Sequence, residues 1–379
     1  MEKWSPNFTF QNDPETGYIT CLSFSMGNDY LAAGTSKGDI LLFNQKNSWS
    51  QVNKIVGTSL SIDERIRDVT RSPVYDLDFI PIKRHCPLLL TLGSQEIRIL
   101  SISNHEIPLV NEDFQLNGME FPIFSQTQQL FSMNEVTRCN PRIGCNFSSL
   151  KCSPNGIDFS YTESTYIVVR RIEHLNPSLQ VYTSEEARLT RLDYSPTDSE
   201  VILVGDEVGF GNIIDTRIQP HQSVPSRRTM PSKVLTTKPR SVLDCRFSSD
   251  GTKFFTRHFG YIMFWDLRNT SNCLLNVTLS HEHEHDVCGD SELFRSCWVN
   301  NDCVATGSYA SSIYIASLKN NLRMTKYATE NLEKPKTSFN FFAKKKSSQA
   351  KECCVHAVES RGDDIAVSNN ANVHVYKRS

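Results

Sequence analysis

The residues whose types and spacing most invite chemistry lie at 281–286, in the run HEHEHD, with Cys288 two residues further on. On a strand, His281, His283 and His285 would share one face, and imidazoles with a thiolate form a zinc ligand set. Cys288 would be the fourth ligand, and Glu282 and Glu284 would be left over. On a loop the same run fixes no geometry and reads as a solvated polar segment or the rim of a binding surface. A catalytic acid–base reading would need a nucleophile to serve, and the chain has no GxSxG elbow. It also has no GxxxxGK[ST], and the three glycines of GDEVGFGN (205–212) fall between two strand-like runs, so no phosphate cradle is expected. The twelve cysteines include no CxxC…CxxC spacing. The expectation is a protein that is not an enzyme and holds neither metal nor cofactor.

The elements that must position such residues come from repetition. An apolar strand, a polar turn, a second strand, a small-residue turn and a third strand recur seven times along the chain. The copies begin at CLSFSMGNDYLAAGTSKGDILLFN (21–44) and end at VHAVESRGDDIAVSNNANVHVYKR (355–378). Phe24, Phe79, Cys152, Tyr194, Phe247, Trp298 and Val358 mark equivalent points, 42 to 73 residues apart. Blades of the WD40 type need about 40–45 residues, so several copies carry insertions. Within each copy the apolar residues alternate, as half-buried strands require. Trp265-Asp266 is a WD pair ending a third strand, with Asp215-Thr216-Arg217 in the same place one copy earlier.

The predicted fold is all-β, a seven-bladed WD40-type β-propeller over residues 1–379. One blade cannot bury both its faces, whereas stacking blades radially can. The last copy runs nearly to the C-terminus and lacks an outer strand, which residues 4–10 are expected to supply. Insertions fall at 45–73, 103–148 and 329–352. The second holds Asn117-Gly118 between two alternating runs, a strong hairpin signal, and this β-hairpin should project from the propeller. It either packs back on the body or serves as a docking arm. The third holds Lys344-Lys345-Lys346, which reads as a solvated loop, a nuclear-import patch or a steering patch.

Composition excludes several roles. Hydrophobic residues make up 39% and charged residues 22%, a globular balance. The net charge of −2 gives no global basic field, so no nucleic-acid partner is expected. No run of about 18 apolar residues occurs, so no membrane span is expected either. MEKWSPNFTF does not read as a secretory signal, and scattered thiols suit reduced surroundings, which points to the cytoplasm and also the nucleus.

Several phrases go beyond generic WD40 patterning. ITCLSFSMGNDYLAAGTSKGDILLF (19–43), SVLDCRFSSDGTKFFTRHFGYIMFWDLRN (241–269), FRSCWVNNDCVATGSYASSIYIASLKNN (294–321) and ENLEKPKT (330–337) resemble the WD40-type regulatory B subunit of protein phosphatase 2A, the 55-kilodalton class. The resemblance is strongest in blades one, five and six and weakest in blade three. It implies a non-catalytic adaptor that docks on the HEAT-repeat scaffold subunit and brings phosphoprotein substrates with basic segments to the catalytic subunit.

In that family a hairpin arm after blade two grips the scaffold. The role would fall here on Pro108, Leu109, Phe114, Met119, Phe121 and Phe124. An acidic top-face groove takes substrates, and its acids fall at Glu15, Glu163, Asp290 and Glu292. Lys37 lies beside Ser36, where the family has a basic groove residue. Asp206 and Glu207 lie nearby in pattern. His281-Glu282 match a family His-Glu pair, and His258 stands where the family usually has Asp. Acids gathered at one mouth would attract Lys/Arg-rich segments whatever the family. The other readings are a propeller scaffold in trafficking or ubiquitin-ligase assembly, and a metal-dependent propeller enzyme using the histidine run.

Overall fold

The computed structural model describes residues 4–10, 17–27, 29–45, 50–55, 73–81, 87–93, 97–102, 113–116, 119–122, 128–132, 147–172, 179–184, 187–218, 227–229, 231, 240–279, 294–307, 312–318, 325–328, 355, 357–369 and 372–378. The structure begins with β1 (Trp4–Phe10). Blade one is β2 (Ile19–Phe24), β3 (Tyr30–Thr35), β4 (Ile40–Asn44) and β5 (Ser50–Ile55). Blade two opens with β6 (Asp76–Phe79), β7 (Leu88–Leu92) and β8 (Ile97–Ser101). A separate antiparallel pair follows, β9 (Asp113–Leu116) and β10 (Met119–Pro122), before β11 (Gln128–Ser132) completes blade two against β8.

Blade three is β12 (Phe147–Cys152), β13 (Asp158–Glu163), β14 (Tyr166–Arg171) and β15 (Leu179–Thr183). Blade four is β16 (Leu189–Tyr194), β17 (Val201–Asp206), β18 (Gly211–Asp215) and β19 (Arg227–Arg228). Blade five is β20 (Val242–Phe247), β21 (Lys253–His258), β22 (Tyr261–Asp266) and β23 (Asn269–Thr278). Blade six is β24 (Ser296–Asn300), β25 (Cys303–Thr306), β26 (Ser312–Ser317) and β27 (Thr325–Ala328). Blade seven is β28 (Val358–Arg361), β29 (Asp364–Asn369) and β30 (Asn372–Arg378), with β1 antiparallel on β30 as its outer strand.

First strands meet in the circular order β2, β6, β12, β16, β20, β24, β28 and back to β2. The molecule is therefore a seven-bladed β-propeller, with these strands around the axis. Alternation along each strand explains the packing: successive side chains enter the seams on opposite sides of the blade, as Leu31 and Ala33 face blade seven while Tyr30 and Ala32 face blade two. An apolar cluster fills each of the seven seams. Phe8 and Phe10 of β1 join the seam of blades seven and one, with their rings 6.1 and 5.1 Å from Phe43.

A small residue recurs where one blade passes close to the next. A Cβ on Gly34 would lie 2.7 Å from Val74, one on Gly205 2.4 Å from Val242, and one on Gly307 would overlap the Val355 carbonyl. Each of these valines stands just before or at the start of the following blade's first strand, so the glycines of AAGTS, LVGDE and ATGSY set the spacing of the seams.

Two sequence expectations need revision. The insertions at 45–73 and 103–148 are not wholly extra, because β5 and β11 within them are fourth strands of blades one and two. The hairpin thus interrupts blade two between its third and fourth strands. The seventh copy is also out of register by two residues. Ala357 N donates to Ser368 Oγ at 2.7 Å as Ser149 N donates to Thr162 Oγ1 at 3.0 Å, so Ser360 rather than Val358 corresponds to Trp298. The charged run 61–68 within the first insertion and the loop 329–352 lie outside the described residues.

Candidate binding faces and the charged axis

The strand order assigns each turn to a face. First strands begin at the face where second strands end, as the pairing of Ile19 with Thr35, Leu189 with Asp206 and Val242 with His258 shows. Turns between second and third strands, and connections between blades, lie on this top face. Turns between third and fourth strands lie on the opposite face. The hairpin is inserted in one of these, so the chain leaves for it from the bottom of blade two.

Lys37 is exposed in the top-face turn between β3 and β4. Beside it Ser36 Oγ accepts from Tyr18 N at 3.1 Å, and Gly17, at φ 83°, packs under that turn. Glu163 is half-buried at the end of β13, and Ser164 after it turns the chain at φ 52°, a backbone state uncommon outside glycine. Lys37 and Glu163 therefore lie on the same face, two blades apart.

Asp206 is not a rim acid. It is buried and caps its own turn, accepting from Gly209 N and Phe210 N at 2.8 Å each, from Asn212 Nδ2 at 3.0 Å and from Arg228 at 3.3 Å. Glu207 remains exposed, as do Arg188 and Arg240 on the same face. Among the described residues this face is thus of mixed charge. Glu15, Asp290, Glu292 and the histidine run 281–285, on which its expected acidity depends, lie outside them. Among the described residues no cluster of His, Cys, Asp or Glu could hold a metal ion.

The hairpin residues divide similarly. Phe114 and Phe121 are register partners, as are Leu116 and Met119, and the polar Gln115 pairs with Glu120. Pro108, Leu109, Phe124 and the Asn117-Gly118 turn lie outside the described residues.

A concentration of charge absent from the sequence reading lies around the axis. Aligned by register, Cys21, Asp76, Ser149, Arg191, Asp244, Arg295 and Ala357 form one tier of the first strands. Ser23, Asp78, Lys151, Asp193, Arg246, Cys297 and Glu359 form the next. Carboxylates here fasten blade two to three, four to five and five to six. Asp76 accepts from Leu150 N at 2.9 Å, Asp78 from Cys152 N at 3.0 Å, Asp193 from Phe247 N at 2.8 Å and Asp244 from Ser296 N at 2.6 Å.

Cations complete the network. Lys151 Nζ lies 3.0 Å from Asp78, Arg295 Nη1 3.0 Å and Arg191 Nη1 3.5 Å from Asp76, and Arg246 Nη1 2.6 Å from Glu359. Burial works to raise the Asp76 carboxyl, but Arg295 and Arg191 hold it below the usual carboxylate range. Burial and the nearby Arg295 push the Arg191 guanidinium down to about 10, and burial lifts the Cys21 thiol to about 11. Such an inert thiol among neutralised charges is structural and not a reaction centre.

Blade five shows how a single titratable group is enclosed. Trp265 Nε1 donates to Thr256 Oγ1 at 3.0 Å, which lies 2.9 Å from His258 Nε2, and His258 Nδ1 lies 2.8 Å from the Arg240 carbonyl. The consistent assignment is a neutral ring with its proton on Nδ1. Burial, with a smaller effect from Arg257, brings His258 down to about 4.

No family model matches the chain. It is 20% identical over 352 residues to serine/threonine-protein phosphatase 2A regulatory subunit sur-6 of Caenorhabditis elegans, covering 78% of this chain and 68% of that protein. Among solved structures, that of Chaetomium thermophilum Raptor superimposes with a TM-score of 0.67 at 12% identity. The match covers 100% of this chain but only 29% of that one, and the likeness is one of fold. The resemblance read from the sequence is borne out: in sequence the chain is similar to a regulatory subunit of protein phosphatase 2A, and in fold it is a β-propeller.

Proposed function

We propose that this chain is a non-catalytic regulatory subunit of a serine/threonine protein phosphatase 2A holoenzyme, acting in the cytoplasm and nucleus. The observation that carries the reading is the similarity to sur-6 across most of both chains. The β9–β10 hairpin, with Phe114, Met119 and Phe121, docks on the HEAT-repeat scaffold subunit. The top face, with Glu15, Glu163, Asp290, Glu292 and Lys37 in or beside its groove, takes basic segments of phosphoprotein substrates. Insertion of the hairpin at the bottom of blade two supports this division, because scaffold and substrate then engage opposite faces. The mechanism is positional: tethering a substrate beside the catalytic subunit raises the local concentration of its phospho-site to the order of millimolar.

Affinity capture of the full chain followed by mass spectrometry tests the reading. The expected partners are the scaffold and catalytic phosphatase subunits, lost on deletion of Pro108–Phe124. Recovery of coat or ubiquitin-ligase components in their place would favour a propeller scaffold of another assembly. Reversing the charge of Glu15 and Glu163 should weaken binding of a Lys/Arg-rich peptide, and unchanged affinity would remove the groove from the account.

A further inference from the structure

The ion pairs at the axis do more than join neighbours. Asp76 belongs to blade two, Arg191 to blade four and Arg295 to blade six, and Arg295 also donates to the Tyr75 carbonyl of blade two. Arg246 of blade five pairs with Glu359 of blade seven. In none of these pairs are the two blades adjacent in the ring. We infer that the propeller is closed twice, at the rim by β1 on β30 and across the axis by these charge pairs, and that the axial ties hold the ring when the rim strand is released.

Three features support this. Asp76, Arg191 and Arg295 are all buried, so their pairing is little weakened by salt or solvent. Asp76 is fixed independently of its cations, by Leu77 N and Leu150 N at 2.9 Å each and Ser149 Oγ at 3.2 Å, so it is a rigid anchor for arms reaching from two other blades. The rim closure, by contrast, is a single strand whose Phe8 and Phe10 are only partly buried. Removing one member of a buried pair strands a charge, so its effect should appear in both of the blades it joined.

Hydrogen exchange measured by mass spectrometry on the full chain separates the two closures. Phe8→Ala/Phe10→Ala should raise exchange in β29 and β30 while leaving β6, β16 and β24 as protected as before. Arg295→Gln should raise exchange on the order of tenfold in β6, across the axis, as well as in β24. The inference is overturned if the β1 variant deprotects all first strands together, or if the Arg295→Gln effect stays within β24 and its neighbours β20 and β28. Should Arg295→Gln not fold, the Arg246→Gln and Glu359→Gln cycle reads the same question in melting temperatures. Effects of the two changes that do not add support an axial tie between blades five and seven, and additive effects contradict it.

Discussion

Blades five and two share one plan and differ in what has been added to it. Blade five is four consecutive strands with Trp265 fully buried, stacked on Phe254 at 6.3 Å and bonded through Thr256 to His258. Its third strand ends in Asp266, held by the side chain of Arg268 at 2.9 Å, and a tight turn leads directly into β23. Blade two has at the same point a hairpin of its own and resumes only at β11. The first strands carry the axial charges and the first three strands most of the seam packing, to which fourth strands add residues such as Phe8, Phe10 and Val277. The connection to the fourth can be lengthened without disturbing either, so it is the place where a docking element can be added at little cost to the fold. Changes in blade five should therefore damage stability, and changes in the blade-two hairpin should damage association.

The largest effect is expected from Trp265→Ala, which opens a cavity and removes the donor to Thr256; unfolding in denaturant should show a loss of about 3–5 kcal/mol. His258 comes next and has a pH signature. Its folded pKa of about 4 lies below its unfolded value, so its contribution is complete above pH 6.5 and is lost as pH falls toward 4. The stability of the native chain relative to His258→Asn should fall by on the order of 3 kcal/mol over that window, and a pH-independent difference would mean that the ring is not buried neutral. Gly205→Ala, placing a methyl 2.4 Å from Val242 at the seam of blades four and five, should cost about 1–3 kcal/mol in the same assay. The smallest effect on stability belongs to Phe114→Ser/Phe121→Ser in the hairpin, where the melting temperature should stay within about a degree, as for changes outside the packed core. A large loss there would mean that the hairpin packs on the body and would erase the contrast between the two blades.

The blades were legible in the sequence because alternation, glycine punctuation and the WD pair repeat in step. Asn117-Gly118 likewise announced the β9–β10 pairing. The axial network was hidden for a physical reason. DLDF, RLDY and DCRF alternate polar with apolar residues, which alone reads as a sheet with one wet face. Closing the ring turns that face inward, and only aligning the copies places Asp78, Lys151, Asp193 and Arg246 in one column. Asp206 misled because an acid in a turn looks the same whether it faces solvent or caps its own loop. Glu15, Asp290 and Glu292, assigned to a groove only by the family resemblance, fall in sequence between the repeat copies, where neither strand periodicity nor repeat register constrains placement, and lie outside the described residues.

The central claim, that this propeller serves a phosphatase as its regulatory subunit and docks through the blade-two hairpin, is tested most directly by binding the purified chain to a purified HEAT-repeat scaffold subunit of protein phosphatase 2A in a calorimeter. The account predicts measurable association for the native chain and its loss for Phe114→Ser/Phe121→Ser at unchanged melting temperature. Equal binding by the two, or none by the native chain, would contradict it.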